Sequence, residues 1–482
     1  MISPGSDFTP IREAMAHLHL SSRVEPNEQI NVDRVYFPEV HRGVLDGSRQ
    51  LVVGNRGMGK SFWTHALLSP EIRHRLASVY KFPSLSTTHV AVGFNGSEKL
   101  GRVAPTTDQI RFSLQRGDDP DLIWRTAFLR AARSTGPQNP TSSFDDTMEE
   151  LAKTPNVYAE TLTETDDRLR SENRQLIVVF DALDRLARSW SEIRALTRAL
   201  LMRTVGLQSF HSIRAKIFMR VDQFADQELF RFPDSSKITN DRIDLRWPAH
   251  ELYGLLLFEI MRDPRAKSSL EEVAGRVDVW NALPTSARLH VQSLSEPDAL
   301  ISAIAGDFMG GHKKRGRVYT WVPLHLSDAA NNCSPRTFLT AWKSAAEHIP
   351  SPSDRAVDHL GLIDGVRRAS SARLAELRED YPWIDRALEP LRRQLVPMSK
   401  DDLFSLWGKH NVVARILEDA EREGLLAPID LFVETGPNAL LKSMTRIAVM
   451  EERASGKINV PDIFRVEAQI LRKGGVAVPR KG

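Results

Sequence analysis

The stretch Gln50-Leu51-Val52-Val53-Gly54-Asn55-Arg56-Gly57-Met58-Gly59-Lys60-Ser61-Phe62-Trp63 decides the fold. A short apolar run ends at Gly54, four residues follow, and then comes Gly59-Lys60-Ser61. That spacing, with a strand before it and a helix after it, is the pattern of a phosphate-binding P-loop. Gly54, Gly57 and Gly59 can take backbone angles that a Cβ forbids. Successive N–H groups then converge on an anion at the positive end of a helix. The pattern gives Lys60 to the β- and γ-phosphates and the Ser61 hydroxyl to Mg²⁺, with Asn55, Arg56, Met58 and Phe62 completing the nucleotide-binding set. The alternative is a glycine-rich turn without a ligand. The agreement of strand, glycines and the Lys-Ser pair argues against it.

A second stretch reads Gln175-Leu-Ile-Val-Val-Phe180-Asp181-Ala182-Leu183-Asp184-Arg185-Leu186. Five apolar residues without alternation predict a strand buried on both faces, as in the middle of a parallel sheet. An acid at the carboxyl end of such a strand sits where ligands bind in open α/β sheets. Asp181 is therefore the candidate Mg²⁺ ligand, direct or through water. Asp184 is the candidate to orient or deprotonate an attacking water. The competing roles are a helix N-cap for Asp181 and a surface pair with Arg185 or Arg188 for Asp184. A third strand, Ala215–Asp222, ends in Arg220 and Asp222, the candidates to sense a γ-phosphate. A strand-end ion pair is the plainer role for those two.

The remaining pattern fills in an α/β architecture. Thr88–Phe94 is β-branched and alternating. Helices are expected from Ser61 to about Ala77, over Asp121–Arg133, over Asp145–Ser171 and from Trp190 to Gly206. Residues 239–246 form a fifth strand candidate, followed by a helix over 250–262. Strands alternating with helices predict a parallel sheet covered on both faces. Beyond residue 264 the pattern is helical. Phe308–Arg317 is a basic, glycine-rich loop with two roles open to it: contact with phosphate, on nucleic acid or on a neighbour's nucleotide, or a solvated turn. Ser334-Pro335-Arg336 starts a helix with proline in its first turn. Helices over 366–379, 383–394, 401–407, 411–424 and 438–450, then a polar turn at 455–457, are compatible with a winged helix. The expected division is an N-terminal helical segment (1–34), a P-loop core (35–250), a helical lid (251–348), a C-terminal helical or winged-helix domain (349–470) and a basic tail (471–482).

Composition narrows the class. The chain has 482 residues, enough for several domains, and 65 basic against 62 acidic residues, so bulk charge does not call for nucleic acid. One cysteine, Cys333, excludes an intrachain disulfide and cysteine-based zinc sites. His17 and His19 lie two apart, on different faces of a helix, so metal binding there is not expected. The opening Met1–Pro10 has no basic region followed by an apolar one, and the apolar run Leu252–Met261 is too short for a bilayer. The expectation is a cytoplasmic protein with no membrane partner.

The P-loop, the strand ending at Asp181, the strand ending at Arg220 and Ser334-Pro335-Arg336 resemble, in that order, Walker A, Walker B, sensor 1 and sensor 2 of the AAA+ and STAND P-loop ATPases. The resemblance covers about residues 35–345. It implies an ATP-binding core with Mg²⁺, a lid carrying Arg336, a winged-helix-like domain, and catalytic roles for Lys60, Asp181, Asp184, Arg220 and Arg336. The phrasing is similar to ATPases of bacterial defence and mobile-element loci. Ala182 stands where most AAA+ members carry Glu, and the Asp181-Ala-Leu-Asp184 spacing is closer to the STAND pattern, which implies slow, switch-like hydrolysis. No Asn-Lys-x-Asp guanine motif occurs, which favours ATP over GTP. Three functions follow: an ATP-driven regulatory switch that assembles with itself or a partner protein, a DNA-binding ATPase of the loader or initiator kind, and a small-molecule or nucleotide kinase. Arg231, Arg242 and Arg246 are positions to test for an arginine finger.

Overall fold

Five strands, all parallel, form the sheet that carries the P-loop: β1 (Leu51–Val53), β2 (His89–Phe94), β3 (Leu176–Phe180), β4 (Ile213–Met219) and β5 (Ile243–Asp244), in the spatial order β2-β3-β4-β1-β5. The computed structural model describes residues 7–20, 35–136, 142–280, 283–284, 296–473 and 476–478. The chain divides into two compact units, one of residues 41–245 and one of residues 1–40 with 246–482.

In the sheet unit, the central strands are mostly apolar because neither face meets water. All five residues of β3 are buried. Leu51, Val53, Val178, Phe180, Ala215, Ile217 and Met219 enter a core with Trp124 and Phe128 of helix Pro120–Arg133 and Leu196 and Leu200 of helix Trp190–Gly206. Val52, Ile177, Val179 and Phe218 are equally buried on the other face. Register then places the chemistry. Val53 pairs with Met219, so the next residues along the two strands are Gly54 and Arg220. Phe180 pairs with Ile217, which brings Asp181 to the same edge. The strand carrying Arg220 thus lies between the P-loop strand and the strand ending at Asp181.

In this unit three elements differ from expectation. The helix after the P-loop is two helices, Lys60–Leu68 and Pro70–Val79. Ser69 caps the second by accepting from Ile72 N–H, and Pro70 has no N–H to continue the first. The charged helix over 145–171 is also two, Phe144–Lys153 and Asn156–Ser171, divided at Pro155. The strand over 239–246 shortens to Ile243–Asp244.

The second unit is helical. Helix Thr9–Ala16 packs with Ala249–Ile260, Pro264–Arg276 and Pro335–Ala346. Helix His359–Asp380 lies along Pro335–Ala346 so closely that a Cβ on Gly365 would stand 2.2 Å from the Ala341 carbonyl oxygen. Only glycine allows that approach. Helices Lys400–Lys409, Val412–Glu423 and Pro437–Arg446 precede an antiparallel pair, Glu451–Glu452 with Ile458–Asn459. Three helices and a hairpin is the element order of a winged helix. The helix expected over 438–450 ends at Arg446, and that over 383–394 is Ile384–Leu388 followed by a single 3₁₀ turn. Leu471–Arg472 of the basic tail pairs with Leu395–Val396. Residues 479–482 of the tail and most of the expected N-terminal segment, 1–6 and 21–34, lie outside the described residues.

Candidate nucleotide-binding site

The loop from Gly54 to Gly59 joins β1 to helix Lys60–Leu68 and is held at both ends. Gly54 N–H donates to the Met219 carbonyl at 3.1 Å, and Trp63 N–H donates to the Gly59 carbonyl at 3.0 Å. Gly57 and Gly59 have φ of 82° and 105°, the left-handed region that a side chain resists. Gly54 is glycine for a different reason: a Cβ there would lie 3.1 Å from the Leu245 Cβ. Met58 is buried, Ser61 exposed, and Asn55, Arg56 and Phe62 are half-buried, with the Phe62 ring edge-on to Trp63. Trp63 Nε1–H donates to His41 Nδ1 at 3.1 Å, which ties the helix to the segment before β1.

Lys60 shows what the loop is built to hold. Its ammonium donates to the Gly54 carbonyl at 2.7 Å and the Asn55 carbonyl at 3.0 Å. The cation is therefore stored on its own loop, at the mouth of a helix N-terminus that has no side-chain cap. Asp181 is buried at the end of β3. It accepts from Thr64 Oγ1 at 3.1 Å and from Ala182 N–H at 2.8 Å. Ala182 has φ of 57°, a strained angle for a residue with a Cβ. That turn carries the chain to Asp184, which faces Arg220 rather than the neighbouring Arg185 or Arg188. Arg220 Nη1 lies 3.5 Å from Asp184 Oδ2, and Arg220 Nε donates to Asp222 Oδ1 at 3.0 Å. So the strand-end ion pair exists, and the same guanidinium also reaches the turn after Asp181.

The electrostatics follow from burial. Desolvation pushes the Lys60 ammonium down to about 8; Asp181 opposes this, Arg220 adds to it, and Asp184 and Asp222 oppose it. Burial raises the Asp181 carboxyl, offset by the Ala182 N–H, by Lys60 and by the Thr64 hydroxyl. Lys60 and Asp181 each oppose the other's shift, as opposite charges sharing one site do. If a phosphate binds there it restores the Lys60 proton, so the expected result is proton uptake on nucleotide binding above about pH 8, with affinity falling as pH rises through about 8. Calorimetry in buffers of different ionisation heat reads this uptake, and Lys60→Arg, which stays charged, removes it. For stability the sign is opposite. A lysine lowered in the fold binds its proton better when unfolded, so its buried charge costs stability below about 8, and that cost is relieved as pH rises from about 8 to the unfolded value of 10.5.

Ser61 and Asp181 supply the hard oxygen atoms that Mg²⁺ prefers, and their types fit that ion. Among the described residues no group of three or more His, Cys, Asp or Glu could hold a metal. Mg²⁺ is commonly bound through one or two carboxylates together with phosphate oxygens and water.

Thr64 lies outside the motif Gly54–Ser61 and has no sequence signature of its own. It lies four residues after Lys60, on the same helical face, and that spacing was the available signal. Thr64→Val keeps the shape and removes one donor from a buried carboxylate. The expected cost is about 1–3 kcal/mol of unfolding free energy, read by urea titration, with Thr64→Ser near wild type. Lys216 is fully buried in β4; its ammonium donates to the Asp46 carbonyl at 2.6 Å and to the Arg49 carbonyl, fixing the turn that leads into β1.

Other candidates have local partners. Arg336, one residue into helix Pro335–Ala346, pairs with Glu376 at 2.7 Å, and Glu376 also takes Arg373 at 3.0 Å. Arg231 pairs with Glu228, and Arg242 with Asp244 while covering the Phe224 ring. Arg246 is exposed. Cys333 is a buried free thiol that burial pushes far up, away from reactivity.

No family model matches the chain, and no curated protein matches it in sequence. Among solved structures the chain is similar to Cdc6p from Pyrobaculum aerophilum, with 13% identity, 93% of each chain covered and a TM-score of 0.29. It is similar to a Walker-type ATPase, paby2304, of Pyrococcus abyssi, with 12% identity, 94% of this chain and 99% of that one covered, and a TM-score of 0.36. It is also similar to the ORC2 protein of Aeropyrum pernix in its ADPNP-ADP complexes, with 14% identity, 92% and 93% covered, and a TM-score of 0.35. Likenesses at this level decide nothing about activity; the P-loop geometry has to do so.

Proposed function

We propose that this chain binds ATP with Mg²⁺ at Gly54–Ser61 and hydrolyses it slowly, as a regulatory switch of the AAA+ or STAND kind. The observation that carries the proposal is the storage of Lys60 on the Gly54 and Asn55 carbonyls, in one charge group with Asp181, Asp184, Asp222 and Arg220. A triphosphate offers the ammonium a better partner than two carbonyls, because its oxygens are charged. Loop N–H groups would bind the phosphates, Ser61 and Asp181 would hold the ion, and the ion would supply charge neutralisation.

Asp184 is the residue that orients and deprotonates water. Its pairing with Arg220 occupies the carboxylate that has to turn toward water. A γ-phosphate competes for Arg220 and frees Asp184, so the arrangement suits a slow and conditional hydrolysis. Arg336 is proposed as the lid residue that reports phosphate state, at the expense of its pair with Glu376. Assembly with another copy or a partner protein is the use we propose for the switch. Of the described residues, no helix is long and apolar enough to cross a membrane.

Phosphate release from ATP by purified protein tests the proposal. The expected turnover is on the order of 10⁻² s⁻¹ or slower, as for intrinsic switch ATPases and GTPases. Absence of release that is not restored by any partner, together with transfer of phosphate to a small acceptor, would favour the kinase reading instead.

A further inference from the structure

The basic loop at 308–317 is a built feature rather than a loose turn. Phe308 and Arg317 form an antiparallel bridge, and Met309 N–H donates to the Gly316 carbonyl at 2.9 Å. Gly310 and Gly316 have φ of 129° and 93°, closing the hairpin at its two ends. Its base is locked into the helical unit. Met309 and Val318 are buried, and the Tyr253 hydroxyl donates to the Tyr319 carbonyl at 3.0 Å while the two tyrosine rings stack at 4.5 Å.

The tip, His312-Lys313-Lys314-Arg315, is exposed throughout. Most arginines of the helical unit are matched to acids. Arg317 beside the tip takes Asp298 at 2.8 Å, and Arg355 takes Asp354. Among the described residues, no ion pair engages Lys313, Lys314 or Arg315. A second element adds to the same patch. A Cβ on Gly310 would lie 3.7 Å from the Arg315 Cγ and 3.8 Å from the His359 Cδ2, so both side chains flank that glycine.

We infer that this hairpin binds the phosphodiester backbone of nucleic acid, without reading sequence. Three arguments select that ligand. Lys313–Arg315 forms a 3₁₀ turn, which has three residues per turn, so its side chains fan out about 120° apart. A fan of cations suits phosphates on two sides of a groove better than the flat surface of a bilayer. The four tip residues include no apolar side chain to enter a membrane, which interfacial anchors need. Lys and Arg are also among the side chains that make phosphate contacts on nucleic acid, and those contacts carry no sequence information. The site belongs to the helical unit and does not depend on nucleotide being bound by the P-loop.

The test is fluorescence anisotropy of full-length protein with a labelled random-sequence duplex across a salt series. Each phosphate neutralised contributes about −0.9 to the slope of log affinity against log salt, so Lys313→Gln/Lys314→Gln/Arg315→Gln should flatten it by about 2.7. Affinity at low salt should fall about tenfold or more, with the melting temperature unchanged. Lys313→Arg/Lys314→Arg, which keeps the charge, should bind as wild type. An unchanged slope in the triple Gln variant overturns the inference. So does binding of wild type to phosphatidylserine-containing vesicles with none to the duplex.

Discussion

Lys60→Ala should abolish measurable ATP turnover and weaken ATP binding about 10²–10⁴-fold. Lys60 is the cation that the loop stores on its own carbonyls at 2.7 and 3.0 Å. Hydrogen bonds to charged groups contribute about 1.5–3 kcal/mol each, and Lys60 is expected to make two, to the β- and γ-phosphates. Removing a donor aimed at charge that develops in the transition state costs a further factor of about 10²–10³ in turnover. Equilibrium titration with a fluorescent ATP analogue gives the binding part, and phosphate release gives the rest. Lys60→Arg separates charge from shape: it keeps the positive charge but cannot fold back onto the Gly54 and Asn55 carbonyls in the same way. A Lys60→Ala protein with full ATPase activity would remove the P-loop from the mechanism.

Asp184→Asn should leave ATP affinity near wild type and slow turnover by about 10²–10⁴, the usual contribution of a positioned acid or base. Asparagine has the same outline and cannot take a proton from water. It also releases Arg220 from the 3.5 Å contact, leaving the guanidinium to Asp222 and to phosphate. Triphosphate binding should therefore be equal or slightly tighter. Single-turnover phosphate release, with affinity measured separately, divides the two effects. Unchanged turnover would make Asp184 a structural partner of Arg220 and nothing more.

The parts of this site legible in the sequence are those where chemistry constrains neighbouring residues. A phosphate cradle needs its glycines, its lysine and its hydroxyl within a few positions, so Gly54–Ser61 could be read directly. The run Leu176–Phe180 could be read because a strand covered on both faces has no polar residue to alternate. What escaped depends on register between distant segments. That Arg220 would meet Asp184 follows from Val53 pairing with Met219 and Phe180 with Ile217. Lys216 reads as an ordinary strand lysine until the carbonyls of Asp46 and Arg49 are seen to receive it. The break at Ser69-Pro70 was visible, since serine before proline is a helix start. Apolar spacing that continues across it concealed it. Helix-rich segments after residue 349 could be placed by periodicity, and the polar turn at 455–457 marks their hairpin, which pairs Glu451–Glu452 with Ile458–Asn459.

Isothermal titration of the full-length protein with a non-hydrolysable ATP analogue, with and without Mg²⁺, bears most directly on the account. It predicts one site per chain, tighter with Mg²⁺ than without, and lost in Lys60→Ala. Heat of dilution alone, in the presence of Mg²⁺ and at neutral pH where Lys60 is charged, would contradict it.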